Sequence, residues 1–358
     1  MPAPERSPLR VAAVAPNWLG DAVMCLPALR LLAAAPGVSL AVLSRPYTAR
    51  VFMLQPGIDD LHADAPGGRW RRIHARTRAL RASGARLAVV FPPSFSSALP
   101  PWLAGVPARV GYRADGRRAW LTDAPAMPSR STHLARSYVD LAAAALRGAG
   151  VEPPRDVPPA RLHVSAGERE AVRERLGPFA RDGYAVVVPG AAFGPAKSWP
   201  EERYRSLCAR LSREMHVVLA GSAGDRARCE RIASELPGVH TLAGETSLGE
   251  LFALIEGARF VVANDSGAPH AAAALGVPAI VLFGSTSPAW TAPVGERVRV
   301  LQHVVHCNPC FRRTCPTQLE CFNGIAVEEV LAAAGEFMRP APAASAPRNP
   351  MPPERPVG

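Results

Sequence analysis

Short apolar runs rich in valine, alanine and leucine recur along the chain, and each is followed by a longer stretch of helical period. LRVAAVAP (9–16), GDAVMCLPALRLLAAAPG (20–37) and VSLAVLS (38–44) read strand, helix, strand. RLAVVFPP (86–93) and ARVGY (108–112) continue the rhythm, with a helix after the first of them. Fully apolar strands separated by helices are the signature of βαβ units on a buried parallel sheet. Pro27 falls inside the first helix and is expected to kink it or confine its regular part.

VEPPRDVPPARL (151–162) has prolines and charges without period and reads as a linker. Past it the rhythm restarts. AGEREAVRERL (166–176) is helical, YAVVVPGAA opens a strand, a helix spans about 201–214, and HVVLAGS, VHTLAGE, RFVVANDSG and PAIVLFGS are strands with helices between them. The predicted fold class is α/β, with two Rossmann-like parallel-sheet domains facing across a cleft: an N-terminal domain over 1–165 and a C-terminal domain over 166–338. The last helix, VEEVLAAAGEF, is a candidate to pack back on the N-terminal domain. The proline-rich residues 339–358 are predicted to be disordered.

Length supports two domains, because 358 residues exceed what one core usually serves. With 48% hydrophobic and 20% charged residues the chain is globular. A net charge of +11 favours an anionic partner. Nucleic acid is one candidate, but aromatics are only 6% and no recognition-helix, RRM or OB pattern occurs, so no nucleic-acid partner is expected. The longest nearly apolar run, 271–284, is interrupted by Gly276 and Pro278 and is too short to span a bilayer. No signal-peptide pattern opens the sequence, so the expected location is cytoplasmic, with any membrane contact peripheral. Three of the seven cysteines are scattered, which argues against a secreted disulfide framework. Cys307, Cys310, Cys315 and Cys321 crowd together and could hold a zinc ion, although reduced thiols are the favoured expectation and no metal is assigned.

Three strand ends carry polar residues. In PNWLGD (16–21), Asp21 is either a helix cap or a carboxylate placed to take a proton from a hydroxyl. In PGAAFGPAKSWPEERY (189–204), Lys197 follows a glycine-rich strand end without the spacing of a Walker loop. It is either a solvent-exposed lysine or a phosphate ligand. In NDSGAPH (264–270), a helix starting near Ser266 would aim its free N–H groups at an anion. Asp265 could be only the N-cap there, and His270 only a packed histidine. The basic segment 67–86 is either a solvated helix face or a surface for anionic groups. No aspartate-rich metal motif is evident.

Taken together, NWLGDAVMCLPALRLL, PGAAFGPAKSWPEERY, LAGETSLGEL and NDSGAPHAAAALGVPAIVLFGSTSP resemble the ordered motifs of the lipopolysaccharide heptosyltransferases, glycosyltransferase family 9, particularly the heptosyltransferase II type. The resemblance runs from about residue 9 to about 335. It implies a GT-B glycosyltransferase that moves L-glycero-D-manno-heptose from ADP-heptose to heptosyl-Kdo2-lipid A, inverting and metal-independent, with no cofactor, working at the inner face of the inner membrane. It also implies Asp21 as general base. Lys197, Asp265, Ser266, Gly267, His270, Glu245 and Thr246 would lie on the donor side, and Asn17, Trp18, Gly20, Arg71 and Arg72 on the acceptor side. A relative acting on another core heptose or nucleotide sugar, or a sugar-nucleotide epimerase of the same fold, would share the donor features.

Overall fold

The computed structural model describes residues 8–64, 67–156 and 159–338, and the chain divides after Ala160 into two compact units. The expected disordered tail lies outside the described residues. The division falls a few residues before the predicted boundary, because the Leu162 N–H donates to the Ala274 carbonyl at 3.1 Å and ties the end of the linker to the second unit.

The first unit runs β1 (Leu9–Val14), α1 (Leu19–Ala33), β2 (Val38–Ser44), α2 (Pro46–Phe52), β3 (Asp60–Ala63), α3 (Arg69–Ser83), β4 (Leu87–Val90), α4 (Phe95–Leu103), β5 (Ala108–Val110) and α5 (Leu134–Gly148). Its strands form a parallel sheet in the order β3-β2-β1-β4-β5. Val14 pairs with Leu43 on one side and Val90 on the other, so β1 is central and apolar on both faces. The chain leaves β1 in one direction to reach β2 and returns on the other side at β4. That reversal beside β1 is where open α/β sheets accept ligands.

Pro27 does not confine α1, which is continuous from Leu19 to Ala33. The missing N–H and the ring cost about 3 kcal/mol in an isolated helix. Here the helix is buried along most of its length, from Leu19 to Leu32, and packs against α5, α2 and β2, which outweighs the local penalty.

The second unit runs α6 (Ala166–Leu176), α7 (Phe179–Asp182), β6 (Tyr184–Val188), α8 (Glu201–Leu211), β7 (His216–Leu219), α9 (Arg226–Ala233), β8 (Val239–Thr241), α10 (Leu248–Glu256), β9 (Phe260–Asn264), α11 (Gly267–Ala274), β10 (Ala279–Phe283), α12 (Pro288–Thr291), β11 (Val298–Gln302), α13 (Glu320–Asn323) and α14 (Val327–Met338). The parallel order is β11-β10-β9-β6-β7-β8, which puts the reversal between β6 and β9.

Capping boxes fix the starts of α6 and α10. Ser165 with Glu168 opens α6, and Ser247 with Glu250 opens α10, each satisfying two backbone N–H groups that would otherwise lack partners. The last helix, a candidate to return to the first domain, contributes to the core of the second unit. Val330, Ala333, Ala334 and Phe337 of α14 join the core formed by Tyr204, Leu207, Phe260 and Ile280. Among the described residues no helix is long and apolar enough to cross a membrane.

Candidate functional site

In the second unit, the polar residues of NDSGAPH and of the 189–204 loop meet at the reversal between β6 and β9. Asn264 ends β9 fully buried, an arrangement tolerable only because each of its polar atoms is used. Its Oδ1 accepts from the Trp199 N–H at 3.0 Å and from the Tyr204 hydroxyl at 2.9 Å, while its Nδ2 donates to the Pro189 carbonyl at 2.8 Å. One amide therefore pins the 189–204 loop to the neighbouring strand end.

Asp265 is buried as well, and it is not the helix cap. Its Oδ2 lies 2.6 Å from the Lys197 ammonium and accepts from the Thr286 hydroxyl at 2.6 Å. Lys197 accordingly is not a solvent-exposed lysine; its side chain is 15% exposed. The carboxylate fixes the ammonium at the carboxyl edge of the sheet and leaves that group donors to spare.

Ser266 holds the N-cap position of α11, with extended backbone and no side-chain cap bond, and the helix proper begins at Gly267. Pro269 supplies no N–H, so the amides of Gly267 and Ala268 are the first-turn groups left without an intrahelical partner. Among the described residues the buried Ser266 hydroxyl finds no partner, and neither does the Ser285 hydroxyl after β10. A buried hydroxyl without a partner costs free energy, and an arriving ligand can relieve that cost. His270, one turn on, is buried in the helix.

Glu245 and Thr246 follow β8, the edge strand, and are not part of this cluster. Three strand spacings, about 14 Å, separate β8 from β9. The Glu245 carboxylate pairs with Arg226 at 3.4 Å.

In the first unit, Asn17 and Trp18 are exposed on the connection leaving central β1, and Gly20 and Asp21 are half-buried in the first turn of α1. Trp18 holds the N-cap position, and Asp21 stands third within the helix, where the helix dipole favours a negative charge. Burial, and after it the Asp21 carboxylate, pushes the Cys25 thiol and the Tyr138 hydroxyl well above their ordinary values.

Arg71 is exposed in the first turn of α3, and Arg72 next to it donates to the Gly67 carbonyl at 2.6 Å. Arg72 belongs to a cationic group around buried Asp64. Arg76 binds that carboxylate through two hydrogen bonds, at 2.6 and 2.9 Å, and Arg45 reaches it at 3.7 Å. Burial and then the charge of Arg72 lower the Arg45 guanidinium from its ordinary value. One carboxylate thus serves two arginines, Arg76 and Arg45, with Arg72 close enough to act on Arg45 by its charge, and positive charge remains over the carboxyl ends of β2 and β3.

The residues missed from sequence are Asn264, Thr286 and Ser285 on one unit and Arg45, Asp64 and Arg76 on the other. Ser285 and Thr286 directly follow the apolar run AIVLFG, so the strand-end rule that singled out Asp265 would also have found them. Arg76 lies in the basic segment 67–86 that the sequence singles out, whereas Arg45 and Asp64 come from two other segments and carry no local signal.

The four clustered cysteines carry free thiols, and Cys321 is buried. Among the described residues no three His, Cys, Asp or Glu side chains are grouped so as to hold a metal ion. The Cys315 thiol accepts from the Leu319 N–H at 3.4 Å.

Known proteins match along most of the chain. The profile of glycosyltransferase family 9 (heptosyltransferase) matches residues 73–320. Lipopolysaccharide heptosyltransferase 2 of Salmonella typhimurium is 32% identical over 306 residues, which cover 82% of this chain and 88% of that protein. The protein of the same name from Escherichia coli K12 is 31% identical over 306 residues, with the same coverage. The solved structure of E. coli ADP-heptose LPS heptosyltransferase II matches with a TM-score of 0.78 at 29% identity, covering 92% of this chain and 98% of that one. The chain, with its two Rossmann-like α/β units of GT-B class, belongs to glycosyltransferase family 9, the heptosyltransferases, and is a glycosyltransferase.

Proposed function

We propose that the enzyme transfers L-glycero-D-manno-heptose from ADP-heptose to the heptosyl-Kdo2-lipid A inner core of lipopolysaccharide, with inversion and without a metal ion. The observation that carries the donor half of this reading is the meeting of Lys197, Asp265 and the α11 N-terminus at the β6–β9 reversal. A diphosphate seated there meets the spare donors of Lys197, the Gly267 and Ala268 amides, and the Ser266 hydroxyl, which has no partner among the described residues. The helix end contributes about 0.3 to 2 kcal/mol toward an anion. Glu245 and Thr246, at the edge strand, take the far end of the nucleotide, while His270 packs behind the phosphate site.

Asp21 accepts the proton of the acceptor hydroxyl as its oxygen attacks the anomeric carbon from the face opposite ADP. The bond from that carbon to the phosphate oxygen breaks, and its electron pair leaves with the diphosphate. Negative charge grows on the departing group at the moment Lys197 and the α11 amides are needed most, which is where preorganised donors have their largest effect on rate. Asn17, Trp18 and Gly20 line the approach to Asp21. Arg71 and Arg72, with Arg45 beside them, attract the carboxylates and phosphates of the acceptor.

On this reading the enzyme works in the cytoplasm, in peripheral contact with the inner membrane surface that carries its anionic lipid-borne acceptor. The test is ADP release from ADP-heptose in EDTA, with and without heptosyl-Kdo2-lipid A. Acceptor-dependent release with an inverted anomeric centre in the product supports the proposal. Release that needs no acceptor points to hydrolysis or epimerase-like chemistry, and release abolished by EDTA rejects the metal-free mechanism.

A further inference from the structure

The cysteine segment has no part in the transfer chemistry, yet it reaches the donor lysine. Arg313 lies between Cys310 and Cys315 and grips the loop that ends in Lys197. Its backbone carbonyl accepts from the Ala196 N–H at 3.1 Å, and its Nε donates to the Phe193 carbonyl at 2.9 Å. Its guanidinium stands 5.6 Å from the centre of the Phe193 ring, while the Lys197 ammonium stands 5.8 Å from the centre of the same ring. Gly194, inside this grip, has φ +151°, a conformation that residues with a side chain rarely adopt, and a Cβ there would approach the Arg313 carbonyl oxygen to 2.6 Å. The close approach of the two segments is therefore built into the glycine.

We propose that Arg313 is a positioning residue for Lys197: the Cys310–Cys315 segment braces the 193–197 loop so that the lysine stays docked on Asp265, ready for the donor diphosphate. The inference rests on the phosphate-binding role given to Lys197 above. A long flexible lysine gains most from such bracing, because the ordering of its side chain is then met in folding and not during binding. Asp265 fixes the ammonium end of Lys197, and Arg313 fixes the backbone from which the side chain starts.

The test is ADP affinity, measured calorimetrically on the full chain, for wild type, Arg313→Ala, Lys197→Ala and the double variant, with thermal unfolding run alongside. Arg313 is exposed, so its loss leaves the fold intact. The expected result is about a tenfold weaker affinity in Arg313→Ala and no further loss when that change is added to Lys197→Ala. Arg312→Ala, which removes the same charge one residue away, is expected to bind as wild type. Gly194→Ala attacks the brace from the other side and is expected to reproduce Arg313→Ala.

An Arg313→Ala protein that binds ADP as wild type does, while Lys197→Ala is impaired, overturns this inference alone. Equal losses from Arg313→Ala in both backgrounds overturn it too, since they mean that arginine acts on the nucleotide by itself. An unimpaired Lys197→Ala overturns the phosphate role of the lysine and this inference together.

Discussion

Lys197 shows how a single side chain acquires a fixed place that its sequence neighbourhood only hints at. In water a lysine is a mobile point charge, and the hydrogen bond to Asp265 at 2.6 Å makes it a fixed donor. Charge-assisted hydrogen bonds of this kind are worth about 1.5 to 3 kcal/mol. Lys197→Ala is therefore expected to weaken ADP binding by about 10- to 100-fold and to leave the Michaelis constant for the acceptor unchanged. Steady-state kinetics with each substrate varied in turn checks both halves. Thr286 shares the Asp265 carboxylate with the lysine, so the site is tied at once to the ends of β9 and β10 and to the loop after β6.

At the scale of elements, helix starts decide where chemistry is presented, and α10 offers a start whose stability can be measured. The Ser247 N–H and hydroxyl hold the Glu250 carboxylate below its usual value, with the backbone hydrogen bond the largest cause. A carboxyl whose folded value is depressed contributes stability above its unfolded value, and that contribution is lost as pH falls through the folded value. Ser247→Ala should cost about 1 kcal/mol at neutral pH. Urea unfolding should show a smaller cost in acid, where Glu250 is protonated in both proteins and its half of the capping box is already gone.

The element pattern was largely legible in advance because central strands and amphipathic helices carry strong signals. YAVVV and FVVAN are buried on both faces and announce themselves as apolar runs. β3 (DLHA) and β11 (VRVLQ) did not, since edge strands are half-exposed and carry charges that break the pattern. Pro27 misled for the converse reason, local chemistry being overridden by burial that only the tertiary fold supplies. Of the candidate site, Lys197 and Asp265 could be found as polar residues at strand ends. Their mutual contact, and the Arg45–Asp64–Arg76 group, depend on strand order that no local stretch encodes.

Across the whole molecule, the net charge of +11 matters less for folding than for encounter. Arg45, Arg71 and Arg72 concentrate part of it at the carboxyl edge of the first sheet, in the unit that also carries Asp21. If these arginines steer an anionic acceptor, raising salt should lower kcat/KM for the acceptor well before it affects turnover at saturation. Arg71→Ala with Arg72→Ala should flatten that salt dependence, and initial rates at several ionic strengths would show it.

The account turns on Asp21, half-buried in the first turn of α1 beside the central strand of the first sheet. Asp21→Asn keeps the shape of the side chain and removes its basicity. Acceptor-dependent ADP release and ADP affinity should therefore be measured together on this variant and on wild type. Release slowed by about 10²- to 10⁴-fold with ADP affinity unchanged is the predicted result. An Asp21→Asn enzyme that turns over at the wild-type rate would contradict the account and return Asp21 to a purely structural place in the helix.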